Sequence, residues 1–149
     1  MELNIEFLSA IDTVTTLEKQ KIVDFLYEHL DKYGDSKEDI MKALEYALSD
    51  RPGRGGLVLV GKDDDKIVTC VVINKTGMSG YIPENILVYI ATHSDYRGKG
   101  IGKKIMKETI ERTKGDIALH VEADNPAKFL YEKVGFTNPY LEMRLKKNQ

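Results

Sequence analysis

"SDYRGKGIGKKIMKETI" (Ser94–Ile110) sets three glycines at alternate positions, Gly98, Gly100 and Gly102, ahead of a run in which Ile101, Ile105, Met106 and Ile110 share one half of a helical cylinder. The stretch before it, "NILVYIAT" (Asn85–Thr92), is rich in branched and aromatic residues and reads as a well-buried strand. Strand, glycine loop and helix in that order make an anion cradle. A helix N-terminus exposes unpaired backbone N–H groups with partial positive charge, and glycines let the preceding backbone curl its own N–H groups inward. Arg97, Lys99, Lys103 and Lys104 add charge of the matching sign. The spacing argues against two common phosphate ligands. A dinucleotide fingerprint needs G-x-G-x-x-G early in a βαβ unit, and a P-loop needs Lys then Ser or Thr after its last glycine, where this chain has Lys103 and Lys104.

Upstream, "LNIEFL" (Leu3–Leu8) alternates as a half-buried strand. Two helical patterns follow. The first is capped by Thr15 with Glu18, carries Leu17, Ile22, Phe25, Leu26 and Leu30 on one face, and stops at Gly34. The second is capped by Ser36 with Asp39 and carries Ile40, Ala43, Leu44, Ala47 and Leu48. "RPGRGG" (51–56) is a loop. "GLVLVG" and "KIVTCVVINK" are strands joined by the hairpin turn "KDDD", and "TGMSGYIPE" is a second loop. Downstream, "DIALHV" (Asp116–Val121) is a strand. "DNPAKFLYEKVGF" holds a helix capped at Asn125, with Pro126 at its first position and Gly135 as its stop, and "YLEMRLKK" closes as a strand. The order β, α, α, β, β, β, α, β, α, β predicts an α/β (α+β) domain with a mixed sheet, residues 1–149 forming one unit.

The chain has 149 residues, 31% charged and 42% hydrophobic, as an ordinary globular protein does. A net charge of −2 gives no general attraction to nucleic acid or anionic membrane, so neither is expected as a partner. No apolar run nears the roughly 18–20 residues that span a bilayer. Cys70 is the only cysteine and His29, His93 and His120 are scattered, so neither a disulfide nor a metal site is expected, and the cysteine usage suits a cytoplasmic location.

Arg97-Gly98-Lys99-Gly100-Ile101-Gly102 fits R-x-x-G-x-G and resembles the pyrophosphate loop of the GNAT N-acetyltransferase superfamily. "LHVEADNPAKFLYEKVGF" is similar to that family's later motif through Asn125, Ala127, Tyr131, Lys133, Gly135 and Phe136. The two matches lie in the family's order. The resemblance implies the family's acyl-CoA N-acyltransferase fold, a central mixed and mostly antiparallel sheet flanked by helices, and an acetyl-CoA-dependent N-acetyltransferase using no metal. The implied acceptor is a small-molecule amine or a peptide N-terminus or lysine, and a homodimer is compatible with the family.

By the same resemblance, the backbone of Ile90, Ala91 and Thr92 pairs with the pantetheine arm, and N–H groups from Gly98 through Lys99, Gly100, Ile101, Gly102 and Lys103 hold the pyrophosphate. Arg97, Lys99, Lys103 or Lys104 meets the other phosphates, Asn125 contacts the cofactor, and Tyr131 is the general acid for the departing thiolate. Members that acetylate protein lysines carry a glutamate on the strand before the loop, where this chain has Ile86. Glu84, two residues earlier, is the candidate base, with His120 or water as alternatives. Two readings from other classes stay open on the residues alone: a non-catalytic acyl-CoA-binding or sensing module of the same fold, and a nucleic-acid binder using the basic loop.

Overall fold

The alternating runs of the sequence pair into one twisted layer. A computed structural model of the chain describes residues 1–148. In it, β1 (Leu3–Leu8), β2 (Gly56–Asp63), β3 (Lys66–Lys75) and β4 (Asn85–Thr92) lie side by side in antiparallel pairs. β5 (Ile117–Leu119) adds to β4 in parallel, giving a five-stranded mixed sheet in the order β1-β2-β3-β4-β5. Residues one apart on a strand face opposite sides, so β2 and β3 sort their side chains between two cores. Val58, Val60, Cys70 and Val72 meet Ile22, Val23, Phe25 and Leu26 of α1 (Thr16–His29) and Ile40, Leu44 and Ala47 of α2 (Lys37–Ala47). Leu59, Val71 and Ile73 meet Ile105 and Met106 of α3 (Ile101–Arg112) and Tyr131 of α4 (Ala127–Lys133). The expected α/β architecture, a mixed and mostly antiparallel sheet flanked by helices, is the observed one.

β4 breaks the alternation once. Its register against β3 slips so that Val72 faces Tyr89 while Ile73 faces Leu87, which leaves Val88 as the extra residue of a β-bulge. Leu87 belongs to the α3/α4 core, Val88 and Tyr89 both belong to the α1/α2 core, and Ile90 returns to the α3/α4 side. β5 pairs with β4 only as far as Leu87 opposite Leu119. Beyond the bulge, β4 continues to Thr92 without β5 beside it.

Local chemistry sets the helix ends. The Thr15 Oγ1 accepts from the Glu18 N–H at 3.1 Å and the Ser36 Oγ from the Asp39 N–H at 3.2 Å, as the capping patterns predict. α1 stops at His29 rather than running to Gly34, because Asp31 takes a left-handed φ of 60° and a 3-10 turn carries the chain to Tyr33. Leu17 lies outside the buried stripe of α1 and is exposed. In α3 the position expected for Ile110 is filled by Thr109, one residue round the helix. Thr109 is fully buried and its hydroxyl donates to the Ile105 carbonyl at 2.8 Å.

The expected closing strand does not form. The residues of "YLEMRLKK" have no strand partner, and Tyr140, Leu141, Met143 and Leu145 are 84–91% exposed. Its alternation is that of a strand, but alternation specifies a face only where an edge accepts the backbone hydrogen bonds.

Ile105 is fully buried between α3 and the sheet. Ile105→Ala is expected to lose about 2–5 kcal/mol of stability, measured by urea unfolding, with the exposed neighbour Ile110→Ala as the near-silent control.

Candidate functional site

Because β4 runs antiparallel to β3, its backbone groups point alternately toward β3 and away. The His93 N–H donates to the Val68 carbonyl at 2.7 Å and the Ala91 carbonyl accepts from the Thr69 hydroxyl at 3.0 Å, so both residues face β3. Ile90 and Thr92 therefore turn their backbone groups to the edge that β5 has left. The Thr92 carbonyl is already taken, by Arg97 Nε at 3.1 Å. Ile90 is the residue of the predicted Ile90–Thr92 set whose backbone edge stays open.

After Thr92 the chain makes a 3-10 turn (Ser94–Tyr96) and enters the glycine loop. Gly98 and Gly100 both have φ of +78°, and a Cβ on either would meet nothing within 4 Å. Conformation, not crowding, demands glycine at these two positions. Gly102 is the reverse case. Its φ is ordinary, but a Cβ there would lie 3.2 Å from Leu130 Cδ2 and 3.8 Å from Thr92 Oγ1. The first turn of α3, helix α4 and the end of β4 thus converge at Gly102. Gly100 starts α3 in a left-handed conformation, and no side chain among the described residues caps the helix there, unlike α1 and α2. Its first-turn N–H groups are left to an external acceptor. Lys99, Lys103 and Lys104 surround them, all exposed, with Lys99 Nζ also 5.3 Å from the Tyr96 ring centre.

Arg97 points back into the fold. Besides the Thr92 carbonyl, its guanidinium donates to the His29 carbonyl at 2.8 Å, closing the C-terminal end of α1. His29 and His93, which the sequence reading set aside as scattered, stack with ring centres 4.1 Å apart beside it. Their sequence separation of 64 positions hid this contact.

Tyr131 of α4 is buried in the α3/α4 core, its ring 5.9 Å from Phe136. Burial, reinforced by the charge of Glu122, pushes its phenol up to about 12. Pro126, expected at the first position of α4, sits at its N-cap, and Asn125 lies one residue earlier, its Oδ1 accepting from the Ala127 N–H at 2.9 Å and its Nδ2 donating to Glu122 Oε1 at 3.3 Å. His120 is exposed just past β5.

Glu84 lies apart from these residues. Its carboxylate accepts from the Asp116 N–H at 2.7 Å and the Gly80 N–H at 3.1 Å, which hold it below the usual glutamate range. Six residues of strand, roughly 20 Å at 3.3–3.4 Å per residue, separate it from Ile90. It lines a cleft of about 290 Å³ with Arg54, Lys75 and Lys114. A second cleft of about 490 Å³ is lined by Tyr27, Glu28, Asp31, Gly34, Asp35 and Ser36. Tyr46 of α2 donates to the carbonyls of Gly53 and Lys75, Tyr33 at the end of the 3-10 turn to that of Asp124, and Tyr81 is exposed. Among the described residues, no helix is long and apolar enough to cross a membrane.

The geometry has known counterparts. Residues 54–138 match the acetyltransferase (GNAT) domain family. A GNAT-family acetyltransferase from Streptococcus pneumoniae superposes with a TM-score of 0.71 at 19% identity, covering 99% of this chain and 100% of that one. A structure of the NatC complex bound to Gag peptide and CoA matches with a TM-score of 0.69 at 23% identity, over 92% of this chain and 86% of that one. A protein from Pyrococcus horikoshii matches at 0.68 and 26% identity, over 95% and 93%. These likenesses share the fold expected from the two sequence motifs.

A folded-state phenol held at about 12 against about 10 in the unfolded chain makes stability fall as pH rises. The folded state keeps the proton longer, so the contribution is whole below about pH 10 and is lost as pH climbs through about 12. Subtracting the alkaline stability profile of Tyr131→Phe from that of wild type, by chemical denaturation, is expected to reveal a loss of about 2–3 kcal/mol across that window.

Proposed function

Because the chain belongs to the GNAT acetyltransferase family, whose members transfer acyl groups, we propose that it uses acetyl-CoA as cosubstrate and passes the acetyl group directly to a primary amine. The acceptor in this reading is a small molecule, a peptide N-terminus or a lysine, and the setting is cytoplasmic. The observation that carries the reading is the loop between Thr92 and Gly102. Two left-handed glycines and an uncapped helix start stand where β4 has parted from β5.

The residues present fit such a molecule. N–H groups from Gly98 to Lys103 would take the pyrophosphate, helped by the positive end of α3 and by Lys99, Lys103 or Lys104. The open backbone edge at Ile90 would hydrogen-bond the pantetheine arm as an added strand does. Bound there, acetyl-CoA would supply an activated thioester carbonyl, and an N–H of β4 near Ile90 would stabilise the oxyanion formed when an amine attacks. Tyr131 is assigned as the general acid: its burial keeps the phenol protonated at neutral pH, so it has a proton to give to the departing thiolate. Asn125 shapes the start of α4 and thereby the position of Tyr131. Arg97 is assigned to hold the loop, since two backbone carbonyls occupy its guanidinium. Glu84, tied to two backbone N–H groups, is left out of the proton relay, and water takes the proton of the attacking amine.

Acetyl-CoA is expected to raise the melting temperature and to give a binding isotherm in calorimetry; neither effect appearing would end the cosubstrate assignment. In a free-thiol release assay across amines, polyamines, aminoglycosides and peptides, Tyr131→Phe is expected to lower kcat by about 10²-fold or more with unchanged coenzyme A affinity. Gly100→Ala is expected to weaken that affinity and to cost about 1–2 kcal/mol of stability, from the left-handed backbone it must keep.

A further inference from the structure

We infer that His29, at the C-terminal end of α1, is a positioning residue for the phosphate-holding loop, its neutral imidazole accepting the first backbone N–H of the turn that sets the loop's direction. The inference rests on the reading of Thr92–Gly102 as the cofactor loop.

Helix α1 belongs to the layer on the far side of the sheet from α3, yet its last residue is bonded to the segment that leads into α3. The Ser94 N–H donates to His29 Nδ1 at 3.3 Å, and Arg97 donates to the His29 carbonyl at 2.8 Å while its Nε holds Thr92. The His29 ring is buried between Phe25, 4.8 Å away on its own helix, and His93, 4.1 Å away on the loop. His93 repeats the arrangement one step on. Its Nδ1 accepts from the Asp95 N–H at 3.1 Å, and its ring meets the Tyr96 ring edge-on at 5.5 Å. Two imidazole acceptors and one guanidinium therefore fix residues 92–97, and Gly98 begins where they leave off.

This arrangement requires His29 to be neutral with its proton on Nε2, where Glu28 Oε2 lies 3.3 Å away and favours that tautomer. A proton on Nδ1 would set one donor against another and break the tie to Ser94. The groups facing the ring are Glu28 on α1 and His93, Asp95 and Arg97 on the loop. Glu28 and Asp95 favour the charged form, whereas burial, His93 and Arg97 oppose it and prevail, so His29 titrates below the ordinary histidine range. Backbone amides grip phosphate only when aimed together, so a shift of the turn is felt as lost cofactor affinity.

The test uses coenzyme A as probe, in calorimetry from about pH 8 down through the His29 titration, which NMR of its imidazole locates, on wild type, His29→Asn and His29→Phe. Asn keeps an acceptor near the Nδ1 position and does not titrate. Phe keeps the ring and the stacking but has no acceptor. At the alkaline end, Asn is expected to bind like wild type and Phe to bind roughly 3- to 10-fold more weakly, the worth of one hydrogen bond. Toward acid, wild type is expected to lose affinity relative to Asn, and the protection of the Ser94 amide from hydrogen exchange is expected to fall in parallel. Equal affinity of Phe and wild type overturns the inference. So does a wild-type to Asn ratio that is flat or rises in acid, since a rising ratio is plain attraction of phosphate to a protonated histidine. Should Phe fail to fold, the pH dependence of the wild-type to Asn ratio decides alone. Failure of wild type to bind coenzyme A at any pH overturns the cofactor reading instead, a result distinct from these.

Discussion

One extra residue in β4, Val88, is the constraint on which the rest of the site depends. Without the bulge, Leu87, Tyr89 and Ala91 would share a face and β4 would run straight alongside β5. With it, Val88 and Tyr89 enter the α1/α2 core together, Ile90 turns to the opposite core, and pairing with β5 ends at Leu87. A strand buried on both faces, as β4 is, cannot change which side chains it buries without losing packing on one side. The bulge is therefore held by the cores themselves, at about 1.5–3 kcal/mol for each large apolar side chain that it sends to the correct side. Tyr89 adds a polar anchor, its hydroxyl donating to Asp35 Oδ2 at 2.6 Å. An open backbone edge on β4 beyond Leu87 follows as a consequence of packing.

The loop beyond that edge is aimed from both layers. From the α3/α4 layer, Leu130 and the Thr92 side chain crowd Gly102, so the start of α3 lies close against α4. From the α1/α2 layer, the end of α1 reaches Ser94 and Arg97. A glycine-rich segment is costly to order, because glycine loses more backbone freedom than any other residue. Here the ordering falls to residues 92–97, which carry side chains, leaving Gly98 and Gly100 with nothing within 4 Å of where a Cβ would lie.

The fold was legible from the sequence wherever a local pattern and a tertiary partner agreed. β1 and β4 have the boundaries that alternation and branched residues predict, and the Thr15 and Ser36 caps form. "YLEMRLKK" shows the limit, since a strand pattern without an accepting edge stays unpaired and exposed. Thr109 shows another, because a residue with its own helix carbonyl as partner can be buried where a larger apolar neighbour seemed the better candidate. In the site, the glycine spacing was readable because conformation imposes it at Gly98 and Gly100. Arg97 was readable as a motif position but not as a helix closure, and His29 with His93 was not readable at all. Their relation depends on how far α1 runs before Asp31 ends it, which no periodicity encodes.

Tyr131 joins catalysis to folding most directly in this reading. A general acid for a thiolate must hold its proton at neutral pH and release it only to a stronger base nearby. Burying a phenol in an apolar core, where the anion has lost its hydration while the neutral form packs as an aromatic side chain does, meets the first requirement and at the same time weakens the phenol as an acid. Neighbours Leu59, Val71, Ile73, Leu87, Ile105 and Met106 provide that environment, and all of them are also core residues that hold α3 and α4 to the sheet. Substitutions there would therefore act twice, loosening the helix that starts the phosphate loop and readmitting water to the phenol. A phenol falling back toward about 10 and a loss of cofactor grip would then appear together in such variants, whereas Tyr131→Phe removes the phenol alone.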